Sequence, residues 1–103
     1  MARLYVGTVR LDPDERLDYT ENWSDVLTPI GDLITELTCT VTDPKTGSVI
    51  AGLDIYNSQF TELDTTTWLE NCTPGARFTV SFLITTAALR KFKRSIRVIG
   101  VRR

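Results

Sequence analysis

A chain of 103 residues with 42% apolar and 24% charged side chains has material for one hydrophobic core and not for two. It contains no histidine, which excludes His-based triads, imidazole acid–base chemistry and His-ligated metals. Its net charge is only −1, yet the charges are sorted along the chain: all 13 acidic residues lie between Asp12 and Glu70, opposed there by Arg16 and Lys45 alone, and eight basic residues with no acid follow.

Residues 2–11 alternate weakly and are interrupted by Gly7, the pattern of an edge strand or an extended N-terminal arm set apart from a single folded unit over 12–103. Ten extended residues reach roughly 33 Å, enough to touch a neighbouring subunit. Asp12-Pro13-Asp14-Glu15 reads as a turn, because proline fixes its own φ and aspartate bonds nearby amides. Leu17, Tyr19 and Trp23 then fall at odd positions, with Glu21 interrupting them, and Tyr19 and Trp23 are read as core anchors. Residues 24–27 read as a short helical or irregular turn closed by Pro29 and Gly31.

Leu33, Thr35, Leu37, Cys39 and Val41 share the inward face of a predicted strand, with Glu36, Thr38 and Thr40 pointing out. Cys39 on that face is expected to be a small buried hydrophobe, and Cys72, beside Pro74 and Gly75, the more reactive thiol. No secretory signal or spanning segment is read, so both thiols are expected to be free in a reducing compartment. After a turn over 43–47, residues 49–56 are read as the next strand, Phe60 as the start of a loop or short strand, and 65–70 as another strand.

The last third is read as an antiparallel hairpin. Phe78, Val80, Phe82 and Ile84 alternate with Thr79, Ser81, Leu83 and Thr85; Phe92, Ile96 and Val98 alternate with Lys93, Arg97 and Ile99. Six or seven strands with turn signals every 8–12 residues predict an all-β fold, an immunoglobulin-like antiparallel sandwich. Among the acids, Asp12, Asp14, Glu15 and Asp18 cluster in sequence but lack the spacing and glycine of a calcium loop, so no metal, cofactor or catalytic residue is expected.

Read together, the segments resemble the tailed-phage fibre–tail adaptor proteins, small immunoglobulin-like virion components. The resemblance rests on Asp12-Pro13-Asp14-Glu15 with Leu17-Asp18-Tyr19 and Trp23-Ser24, then on Gly31-Asp32 leading into residues 38–41. It continues through Thr66-Thr67-Trp68-Leu69, Phe78-Thr79-Val80, Ile84-Thr85-Thr86-Ala87-Ala88, Arg94-Ser95 and Arg97-Val98. Cys39 stands where such proteins often carry tryptophan, Leu89 replaces a glycine at the hairpin corner, and Phe82-Leu83 replaces a more polar pair.

The resemblance implies a non-enzymatic structural protein of the phage tail or neck, joining fibres or neighbouring subunits, made in the host cytoplasm and carried in the virion. Its expected partners are other virion proteins and further copies of itself in a symmetric ring, with no nucleic acid and no membrane. Two alternatives are a capsid decoration protein of the same fold and a nucleic-acid-binding module using the basic C-terminal third. The charge sorting itself suggests an interface in which Asp12, Asp14, Glu15 and Asp18 of one subunit and Arg90, Lys91, Lys93, Arg94 and Arg97 meet opposite charge on the next copy or on an adjacent virion protein.

Overall fold

A computed structural model describes residues 5–102. Those residues form β1 (Thr8–Leu11), β2 (Arg16–Asn22), a one-turn helix α1 (Ser24–Leu27) continued by a 3-10 turn (Thr28–Ile30), and β3 (Ile34–Thr42). Then come β4 (Asp54–Phe60), β5 (Asp64–Glu70), β6 (Arg77–Thr86) and β7 (Lys91–Gly100). They assemble as a sandwich of a four-stranded sheet ordered β1-β7-β6-β3 and a three-stranded sheet ordered β2-β5-β4. Every strand pair is antiparallel except β1 with β7, which run parallel with Val9 opposite Val98. Of the first eleven residues, 8–11 are thus an edge strand; the part of the expected arm before Tyr5 lies outside the described residues.

The β6–β7 hairpin is the centre of the larger sheet, and its alternation is the reason. Phe78, Val80, Phe82 and Ile84 are buried along β6, facing Ile96 and Val98 of β7. A fully buried side chain of this size contributes roughly 1.5–3 kcal/mol relative to exposure. From the smaller sheet, β5 turns Thr65, Thr67 and Leu69 inward, and the two buried hydroxyls are paired: Trp23 Nε1 donates to Thr65 at 3.0 Å, and Cys39 Sγ lies 3.3 Å from Thr67 Oγ1. Trp23, wholly buried, closes one end of the core with Leu27 of α1.

Several local expectations need correcting. Ile34, not Leu33 or Thr35, points inward on β3, because a bulge between Ile34 and Glu36 shifts the alternation before Leu37, Cys39 and Val41 resume it. The strand expected over 49–56 begins only at Asp54 and runs to Phe60. Val49 makes one isolated bridge to Thr42 and is 75% exposed, and Gly52 takes φ +112°, which breaks the extended run. The thiols are free but exchange roles: Cys72 is buried and Cys39 only half-buried. Burial raises the pKa of both. Leu17 lies at the rim of the smaller sheet and is 36% exposed.

Candidate interface: two outer faces of opposite sign

Strand order converts the sorting of charge along the chain into a sorting in space. The acidic segment supplies β2, β4 and β5, which make up the whole smaller sheet, and the basic segment supplies β6 and β7 at the middle of the larger one. On the outer face of the larger sheet the register lines up Arg77 with Ile99, Thr79 with Arg97, Leu83 with Lys93 and Thr85 with Lys91, and adds Arg10 of β1 beside Ile99. Among the described residues five basic side chains stand there against Glu36 of β3, with Asp43 of the loop after β3 at the edge beside Arg77 and Arg97. On the outer face of the smaller sheet, Asp18, Asp54, Asp64 and Glu70 stand against Arg16 alone.

The basic face is recessed. Tyr5 lies over it, with its hydroxyl 3.0 Å from Thr79 Oγ1 and the Arg97 guanidinium 4.8 Å from its ring centroid. Between Tyr5 and the β3–β4 loop runs an open groove of about 420 Å³ lined by hydroxyls of Thr38, Thr40, Thr79 and Ser81, with Lys93 at its side. The acidic face carries aromatic side chains instead. Trp68, half-buried, sits on the central strand between Asp18 and Asn57, and Tyr56, 53% exposed, lies under the Arg16 guanidinium at 3.6 Å from its ring centroid. Arg16 also bonds Glu70 at 2.8 Å, which holds the guanidinium in place over the ring.

The residues singled out by sequence therefore fall in five places. Asp12, Asp14 and Glu15 form the β1–β2 turn, where Glu15 Oε1 accepts from the Asp12 amide at 2.9 Å and Asp12 Oδ1 from the Asp14 amide at 2.9 Å. That turn lies at the Gly100 end of β7, and Arg90 and Lys91 at the opposite end, in the hairpin. Asp18 is on the acidic face, and Lys91, Lys93 and Arg97 are on the basic face.

Arg94 joins none of these groups. It shares the inward parity of Phe92 and Ile96 and crosses to the other sheet, where its guanidinium bonds Glu21 at 2.6 Å and Asp25 at 2.6 Å, 4.6 Å from the Trp23 ring centroid. Desolvation works against its charge, but the bonds to Asp25 and Glu21 outweigh it and leave the pKa above the ordinary arginine value. Asp25 answers in the opposite direction: its bond to Arg94 holds its carboxyl below the usual range.

Arg90 is engaged as well. Asp32, 5% exposed, accepts from Arg90 at 3.1 Å and from the amides of Leu33 at 3.0 Å and Ala88 at 3.2 Å, pinning the hairpin tip to the loop before β3. The Thr86 hydroxyl, then the Leu33 amide and Arg90, lower the Asp32 pKa against the effect of burial. At that tip Leu89, where a glycine was expected, adopts φ +65° and is 82% exposed.

Sequence reasoning missed Arg10, Arg77, Arg16, Tyr56 and Trp68 as interface candidates. Parity alone could have placed Arg77 with Thr79 and Trp68 with Thr66, whereas Arg10 needed the long-range pairing of β1 with β7. In comparison with known proteins, no curated protein is matched. A family model described as Podophage GP4 fiber-tail adaptor protein gp77 matches residues 11–99, from the last residue of β1 to the penultimate residue of β7, so the whole sandwich core lies within it. The chain belongs to the podophage fiber-tail adaptor protein family.

Proposed function

We propose that this protein is a non-enzymatic structural component of a phage virion that joins tail to fibre by binding, through the surfaces of a rigid sandwich. The single observation that carries this reading is the family match, which spans β2 to β6 whole and all but the last residue of β7. The physical features agree with it. Buried side-chain polar atoms among the described residues all have partners, and the two broad surfaces left over differ in sign and in shape, which suits a part that works by contact with its neighbours.

In the finer reading the protein sits in the tail or neck of the particle, is made in the host cytoplasm, and works as several copies in a symmetric ring without nucleic acid or membrane as a partner. The sequence-based interface set remains part of the proposal in amended form. Asp18, Lys91, Lys93 and Arg97 stand on the outer faces, Asp12, Asp14 and Glu15 on an end turn, and Arg90 and Arg94 hold the fold.

Deleting the gene in its phage and examining the particles by mass spectrometry and infection tests this reading. Tails that assemble without fibres and cannot adsorb are the expected result. Particles with a full complement of fibres and normal infectivity would overturn it.

A further inference from the structure

We infer that the acidic outer face of the β2-β5-β4 sheet is a docking surface whose occupant is a second copy of this chain, presenting its basic outer β1-β7-β6-β3 face. This rests on the reading of the protein as a repeated virion subunit and names the surfaces that such repetition would use.

Charge is the first argument. Asp18, Asp54 and Asp64 with Glu70 on one face oppose Arg77, Lys93 and Arg97 on the other, so unlike faces attract, whereas like faces of two copies repel. The attraction therefore selects a heterologous contact over a two-fold one.

The second argument is residue type. Trp, Tyr and Arg dominate association energies where they cluster at the centre of a patch and polar groups form its rim. On the acidic face Trp68, Tyr56 and Arg16 are that cluster, on and beside the central strand. A tryptophan directed away from the core on a central strand gains only part of its burial within the monomer; a covering partner completes it.

Shape is the third. The facing surface has a hydroxyl-lined groove of about 420 Å³ between Tyr5 and the β3–β4 loop. Such a recess receives projecting aromatic groups and offers acceptors to the Tyr56 hydroxyl and the Trp68 N–H. With principal extents of 42, 27 and 20 Å, the molecule has faces large enough for the about 800 Å² per partner of a standard interface. Because the two faces lie on opposite sides of the sandwich, each copy can use both, and a small rotation per copy closes the row into a ring.

The test uses the full chain and two double variants at exposed positions. Asp18→Lys with Asp54→Lys turns the acidic face basic, and Arg77→Glu with Lys93→Glu cancels the positive charge of the basic face. Circular dichroism and melting establish that each is folded, and Tyr56→Ser serves as a variant that changes no charge. Sedimentation velocity at about 0.1 M salt should show the native protein associating with rising concentration, and the association should weaken at about 1 M, where the screening length falls from about 10 Å to about 3 Å. Each double variant alone should associate at least about tenfold more weakly, as should Tyr56→Ser.

An equimolar mixture of the two double variants should regain association, because in an alternating row each substituted face meets the oppositely substituted one and each native face meets a native one. A native protein that stays monomeric at low salt, folded variants that associate as well as native, or a mixture that stays monomeric would each overturn the inference. Any of those results leaves the adaptor reading to be decided by the deletion particles, which score fibres and not self-association.

Discussion

Replacing Arg94 by alanine removes the one side chain that ties the two sheets together electrostatically near Trp23. Its guanidinium is only 16% exposed and Glu21 14%, so their bond at 2.6 Å lies largely out of water, whereas Asp25 is 65% exposed and its bond is screened. A hydrogen bond to a largely buried charged group contributes about 1.5–3 kcal/mol. The exposed Asp25 pair adds about 0–1, and the contact with the Trp23 ring about 0.5–2.

These contributions share one side chain and do not add fully, so Arg94→Ala should cost about 2–4 kcal/mol. In a domain of this size each kcal/mol shifts the midpoint by about 4–8 °C, which makes the loss easy to see in a thermal melt. Urea unfolding of Arg94→Ala, Glu21→Gln and the double variant closes the cycle. The double variant should unfold little earlier than Arg94→Ala alone, because removing Arg94 already takes away the cationic partner of Glu21 and leaves it only the Tyr19 hydroxyl. A cost below about 0.5 kcal/mol for Arg94→Ala, or strictly additive costs in the cycle, would refute the view of Arg94 as an inter-sheet clamp.

Other outcomes follow from the same geometry. Val80→Ala, at a wholly buried position, should cost about 1–3 kcal/mol by urea unfolding. A Cβ at Gly100 would stand 1.9 Å from the Thr73 carbonyl oxygen, so Gly100→Ala should lower stability by more than about 2 kcal/mol or prevent folding, read by the melting midpoint. Leu89→Gly should raise stability by about 1 kcal/mol, since leucine at φ +65° carries a backbone cost that glycine avoids.

Asp25 and Asp32 have lowered pKa values when folded, so their stabilisation is complete above the ordinary value of 3.8 and is lost as pH falls through the folded values. A urea midpoint that falls steeply below about pH 4, and falls less in Asp32→Asn, is the expected pattern. Under native conditions a thiol reagent should modify Cys39 before Cys72, and mass mapping of the label checks the order.

The parts of this fold that could be read in the sequence are those in which one residue's neighbours in sequence decide its side. Phe78 through Ile84 alternate without interruption, so the face of β6, its hairpin with β7 and the burial of Val98 were all visible. A bulge defeated the same reasoning at Ile34–Glu36, since two-residue parity fails wherever an extra residue is inserted; a second bulge interrupts β4 at Ile55–Asn57.

Arg94 shows a different limit. Its parity placed it with Phe92 and Ile96, but a charged side chain is ordinarily assigned to solvent, and nothing local reveals that Glu21 and Asp25 wait opposite it. The charge sorting was visible as a sequence fact. That it would end on two outer faces, and not on two ends, depended on which strands share a sheet, and that is a property of topology.

Cryo-EM of purified particles, reconstructed locally around the tail, tests the central claim most directly. The adaptor account predicts density for this sandwich at the joint between tail and fibre, in several copies. Density confined to the capsid surface, or a tail–fibre joint built wholly of other chains, would contradict it.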